Sequence, residues 1–184
     1  MEERELSIKC VRGETDARKI LYERYSEYLF GICLRYSADR EAAMDLLHDT
    51  FIKVYTNIDK FSYRGSGSLK GWLARLTVNM ALEKIRKESK LQTVDIQYDI
   101  AQEEPADGLI EIIPQKVLIK FIEELPPGYR AVFNLYVFED LPHKEIARML
   151  GINEKSSSSQ FLRAKGAILK KIDNYLKNIE NGKQ

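Results

Sequence analysis

The chain has 184 residues, room for one domain or two small ones, with the 44% hydrophobic and 31% charged side chains of an ordinary globular protein. Its net charge of +1 conceals a segregation: residues 1–90 carry 17 basic and 14 acidic side chains, residues 91–115 none and six, and residues 116–184 twelve and eight. No apolar run approaches the ~20 residues that span a bilayer, the charged start from Met1 to Arg12 lacks the core of a signal peptide, and the two cysteines, Cys10 and Cys33, have no metal-ligand spacing, so a cytoplasmic protein with reduced structural thiols is expected and membrane insertion is not.

Residues 1–90 read as a helical bundle. Thr15 or Asp16 caps a helix carrying Leu21, Tyr25, Tyr28, Ile32 and Tyr36 at three-to-four spacing. Ser37 or Asp39 caps a second, with Ala43, Leu47, Thr50, Val54 and Ile58 on one face. The glycines and serines of 62–68 break the pattern. A third helix, from about Leu69 to Lys87, has the stripe Leu69, Trp72, Leu73, Leu76, Met80 and Ile85.

Residues 91–115 hold Asp95, Asp99, Glu103, Glu104, Asp107 and Glu111, with no Lys or Arg. They lack helical periodicity and contain Pro105, Gly108 and Pro114, which predicts a flexible acidic linker longer than the usual loop. Composition alone favours a disordered tether.

Residues 116–184 form a second helical domain. Val117, Leu118, Phe121, Ile122 and Leu125 make a short amphipathic helix stopped by Pro126-Pro127-Gly128, and an apolar helix runs from Tyr129 to Phe138. Pro142 opens a third helix, with Ile146, Ala147 and Leu150 inward, and Gly151 supplies the left-handed residue that closes it. Ile152 plugs the angle between helices, and Asn153 caps the next, whose buried stripe is Phe161, Ala164, Ile168 and Ile172. This predicts a helix-turn-helix over 141–172. The other face of the second of its helices offers Lys155, Ser156, Ser158, Ser159, Gln160, Arg163 and Lys165 to the major groove, while Ser157 fills or caps the helix start. The fold class is therefore all-α: two small helical domains joined by a flexible acidic linker.

Chemistry that would mark an enzyme is not visible. The sequence offers no phosphate-binding loop, no metal-ligand cluster and no nucleophile–base pair, with His48 and His143 its only histidines. No catalytic residue, metal or cofactor is expected.

Four ordered motifs, Asp45–Phe51, Gly71–Ala81, Leu125–Phe133 and the helix-turn-helix of 141–172, together resemble those of bacterial sigma factors of the small, extracytoplasmic-function (ECF) type in the sigma-70 family. Asp45-Leu46-Leu47-His48-Asp49-Thr50-Phe51 is similar to the polymerase-binding segment of region 2.2, with His48 in place of the usual glutamine. Gly71-Trp72-Leu73-Ala74-Arg75-Leu76-Thr77-Val78-Asn79-Met80-Ala81 resembles region 2.4. Leu125-Pro126-Pro127-Gly128-Tyr129-Arg130-Ala131-Val132-Phe133 resembles the start of region 4, which the helix-turn-helix completes. The run Asn134-Leu135-Tyr136-Val137 with His143-Lys144-Glu145-Ile146-Ala147 most resembles the branch common in Bacteroidota.

The resemblance implies core RNA polymerase and promoter DNA as partners, and an anti-sigma protein that covers the same surfaces. It implies core polymerase binding by Asp45, His48, Asp49, Ile52 and Tyr55. Taken alone, two acids and a histidine on a helix are an ordinary solvated face. Tyr63, Arg64, Gly65, Ser66, Arg75 and Asn79 would meet the −10 element, where a flipped base needs a pocket and the single strand a basic path. Trp72 is read as core in preference to a stacking platform. Lys155, Ser158, Ser159, Gln160, Leu162 and Arg163 would read the −35 element. Four consecutive serines at 156–159 depart from the family's more basic pattern, which shifts specificity toward Arg163, Gln160 and DNA shape. The linker would thread toward the polymerase cleft. The alternative is a stand-alone helix-turn-helix regulator, which would need no polymerase surface.

Overall fold

A computed structural model describes residues 1–89 and 113–181. Among the described residues there are eight α-helices, one 3-10 turn and no strand. The all-α class expected from the sequence is the class observed. The chain divides into two compact units, Met1–Lys84 and Ile85–Gln184. The expected acidic linker falls almost wholly outside the described residues.

The first unit is built from α1 (Glu3–Val11), α2 (Thr15–Tyr36), α3 (Arg40–Asn57), a 3-10 turn at Ile58–Lys60 and the body of α4 (Ser68–Ser89). The helix α1 was not anticipated. It buries Leu6 and Cys10, and leaves Ile8 and Val11 exposed. On α2 the buried face is Ala17, Leu21, Tyr25, Leu29, Ile32, Cys33 and Tyr36. Leu29 replaces the expected Tyr28, which is exposed with the Lys70 ammonium 4.2 Å from its ring centre. A four-residue step from Tyr25 follows the 3.6-residue period as well as a three-residue one. The cap of α3 is Asp39, whose carboxylate accepts the Ala42 N–H at 2.8 Å. All five residues expected on its inner face are buried. Among them, the Thr50 hydroxyl donates to the Leu46 carbonyl at 2.7 Å, so its burial leaves no donor unsatisfied.

The second unit contains α5 (Gln115–Glu123), α6 (Pro127–Val137), α7 (His143–Leu150) and α8 (Glu154–Asn181). Its core joins Ile113, Ile122, Leu125, Tyr129, Ala164, Ala167, Ile168 and Ile172. The Pro126-Pro127 pair ends α5 and also starts α6, two residues earlier than expected. Proline suits the first helical position because the N–H it lacks would have no helical partner there. Gly151 closes α7 with φ +69°, and Asn153 caps α8 by accepting the Ser156 N–H at 2.7 Å. The turn chemistry read from the sequence is therefore the chemistry that forms. The helix α8 is longer than expected, running nine residues past Ile172.

Candidate nucleic-acid and polymerase interfaces

Three surfaces collect the residues singled out from the sequence. The first is the outer face of α3. Asp45, His48, Asp49 and Ile52 are all exposed there, and Ile52 is 63% exposed, the most open large apolar side chain described. Their three- and four-residue spacing aligns them along one face. Tyr55 is placed differently: it is half-buried and its hydroxyl donates to the Arg18 carbonyl of α2 at 3.0 Å. Its ring lies 5.9 Å from Phe51 and 5.4 Å from the Arg18 guanidinium. Burial pushes its phenol up to about 12.

The second surface is the segment before α4 and the exposed side of that helix. Gly65 has φ +121° and Gly67 φ +84°, conformations that side chains rarely adopt, so this turn requires glycines. The Ser68 hydroxyl latches it from within, donating to the Gly65 carbonyl at 2.6 Å and accepting the Arg64 N–H at 3.2 Å. Tyr63, Arg64 and Ser66 are exposed, and Gly65 is partly so. Arg75 and Asn79 are exposed one turn apart on α4. Trp72 is half-buried against Phe61, ring centres 5.7 Å apart.

A contact that sequence reasoning missed also ends here. The Glu3 carboxylate of α1 reaches the turn, one oxygen accepting the Gly67 N–H at 2.9 Å and the Leu69 N–H at 3.3 Å. Its other oxygen accepts the Tyr25 hydroxyl at 3.1 Å. Burial, then this bond, raise the Tyr25 phenol above its ordinary value. Sixty-four residues separate Glu3 from Gly67, so no local pattern signals the pair.

The third surface is the helix-turn-helix. The start of α7 and the first turns of α8 frame an open groove of about 1040 Å³, lined by His143, Asn153, Glu154, Lys155, Ser156, Ser158, Ser159, Gln160 and Arg163. Lys155, Ser159 and Leu162 are exposed, and Ser158, Gln160 and Arg163 are partly so. One Arg163 guanidinium nitrogen donates to the Tyr129 hydroxyl at 3.3 Å. The Gln160 side-chain oxygen sits 3.3 Å from where a Cβ on Gly128 would be, so glycine leaves it room. Ser157 points inward, fully buried, its hydroxyl 3.0 Å from His143 Nδ1. The His143 ring stacks on Tyr136 with centres 4.7 Å apart, and Tyr136 packs on Phe161 at 4.3 Å. Ser157 and His143 thus join α8 to α7, and Tyr136 joins both to α6.

Two stretches of the chain match known families in order. A family model described as sigma-70 region 2 matches residues 21–91, and one described as sigma-70 region 4 matches residues 115–168, together well over half of the chain. The chain belongs to the sigma-70 family. Similar sigma-70 relatives include the ECF RNA polymerase sigma factor SigM of Bacillus subtilis (strain 168), 26% identical over 147 residues that cover 79% of this chain and 88% of SigM. SigW of the same organism is 26% identical over 180 residues, 90% of this chain and 94% of SigW. Among solved structures, CnrH in complex with the cytosolic domain of CnrY aligns over 94% of this chain and 97% of its own, with 19% identity and a TM-score of 0.49. The sigma-70 region 2 match begins at Leu21, so α1 lies upstream of it. No helix among the described residues is long and apolar enough to cross a membrane.

Proposed function

We propose that the three surfaces divide the work of a sigma factor among named residues. The chain binds core RNA polymerase and directs promoter-specific initiation, and the two sigma-70 regions in their proper order carry that conclusion. The exposed face of α3 is the polymerase dock. Ile52 supplies an apolar anchor of the kind that dominates protein interfaces, and Asp45 and Asp49 supply charges that pair with basic side chains on the polymerase. His48 both donates and accepts hydrogen bonds, as the glutamine it replaces does.

The segment Tyr63–Ser66 with Arg75 and Asn79 receives the opened −10 element. Its glycines permit close backbone approach to a flipped base. The groove of the helix-turn-helix receives the −35 element. Lys155 contacts phosphate, Ser158, Ser159, Gln160 and Arg163 contact base edges or sugar–phosphate, and Leu162, 47% exposed, meets a thymine methyl group. An anti-sigma protein that covers these surfaces holds the factor inactive. The work is done in the cytoplasm, with the chain acting as an initiation factor and not as an enzyme.

Run-off transcription with core polymerase on a genomic promoter library tests this reading. Transcripts that appear only when both proteins are mixed support it. Tight, specific binding of the free chain to duplex promoters, with no effect on core polymerase, would instead mark a stand-alone regulator.

A further inference from the structure

We infer that Glu3 is a positioning residue for promoter recognition, through which α1 sets the shape of the −10-reading turn; this rests on the proposed role of residues 63–66. The turn has two glycines in left-handed conformations within three residues, Gly65 and Gly67. Glycine gives up more conformational freedom on ordering than any other residue, so such a segment has little intrinsic tendency to hold one shape. The Ser68 latch closes the turn on itself. Glu3 anchors it to the rest of the unit, bridging Gly67 and Leu69 with a single oxygen. A carboxylate accepting backbone N–H groups at the first turn of a helix forms charge-assisted bonds, about twice as strong as neutral ones, in a favourable field.

The anchor is itself held from two sides. Tyr25, 5% exposed on α2, donates to the second oxygen of Glu3. Leu6 and Cys10, fully buried, follow Glu3 at three and seven residues along the same face of α1. Packing of that face therefore fixes where the carboxylate sits. The fold thus extends the reading apparatus to a helix that lies before the matched sigma-70 region 2. Residues 63–66 present their side chains from a turn whose far end is fixed by Glu3. Loosening that end lets Tyr63 and Ser66 sample positions that fit several bases.

The test uses the full chain reconstituted with core polymerase, comparing wild type with Glu3→Ala, Glu3→Gln and Tyr25→Phe. Each is assayed for core affinity, and for transcription from a promoter set carrying every base at each −10 position. Glu3→Ala is expected to lower transcription from the preferred promoter by about 10-fold, the scale of losing a hydrogen bond to a charged group. It also flattens the preference among bases at the flipped position. Glu3→Gln, which keeps a carbonyl acceptor, restores part of both, and Tyr25→Phe, which removes only the hydroxyl, gives a smaller loss of the same kind. Core affinity is expected to stay at the wild-type value throughout. Reduced transcription with an unchanged base preference would overturn the inference and leave Glu3 a purely structural residue. Increased transcription would also overturn it, marking the carboxylate as an occupant that DNA must displace. Failure of the wild-type protein to support transcription would refute the sigma reading itself, a separate result.

Discussion

Replacing Ile52 separates docking from folding. This side chain is 63% exposed on α3, between buried Phe51 and the fully buried Val54 two residues on. Complete burial of an isoleucine contributes about 1.5–3 kcal/mol. A partner that covers the exposed two-thirds therefore gains roughly 1–2 kcal/mol from it. Ile52→Ala should weaken association with core polymerase by about 5- to 30-fold, since 1.4 kcal/mol is a factor of ten. Ile52→Asp should weaken it further, because a carboxylate must then be desolvated at the dock. Ile52 is not one of the buried core residues, so thermal stability should move by no more than about 0.5 kcal/mol. Val54→Ala is the opposite case: two buried methyl groups are lost, worth about 2 kcal/mol of stability, with core affinity of the folded fraction unchanged. Fluorescence anisotropy of labelled protein titrated with core polymerase, beside thermal unfolding monitored by circular dichroism, reads both quantities. Wild-type affinity for Ile52→Asp would refute the assignment of the α3 face. A large drop in its melting temperature would refute the claim that Ile52 stands outside the core.

Ser157→Ala should destabilise the second unit by about 1 kcal/mol, the usual worth of a buried hydrogen bond, and lower its melting temperature while freeing the His143 ring. Arg163→Ala should reduce discrimination at the −35 element by about 1–3 kcal/mol for a base contact, measured by competition between promoter variants; equal loss on every sequence would mark a phosphate contact. Burial pushes Cys33 up to about 12, so its thiol stays protonated and should not react with a thiol reagent at pH 8 until the protein is unfolded. Both Cys33 and Tyr55 have folded-state values raised to about 12, so each holds a proton that the unfolded chain releases earlier. Their contribution is complete below the unfolded values of 9.0 and 10.0 and is lost as pH rises toward 12. Unfolding midpoints of the first unit should therefore fall across that alkaline window, a trend that Tyr55→Phe should shrink.

What the sequence revealed follows from which interactions are local. The caps Asp39 and Asn153, the left-handed Gly151 and the inner face of α3 all depend on neighbours within a few residues, and all were legible. Tyr28 and Leu29 were exchanged because either step from Tyr25 satisfies helical spacing. The sequence does not signal α1, because apolar Ile8 and Val11 face solvent beside buried Leu6 and Cys10, which blurs the periodicity. Ser157 was placed correctly at the start of its helix, but its partner His143 lies across the turn, fourteen residues away. The Glu3 anchor spans more than sixty residues, and a lone acid in a charged segment carries no sign of it.

The reach of α8 bears on how such a protein changes over generations. This helix of 28 residues is roughly 42 Å long at 1.5 Å per residue. Its groove-lining residues end at Arg163, and its buried stripe begins at the next position, Ala164, continuing through Ala167, Ile168 and Ile172. Ser157 and Phe161 aside, the groove-lining stretch has few packing duties. On the proposed −35 role, drift at Lys155, Ser158, Ser159 or Leu162 would change promoter preference without eroding the fold. That half of promoter choice then varies at one end of a single rod, while the other end keeps the domain intact.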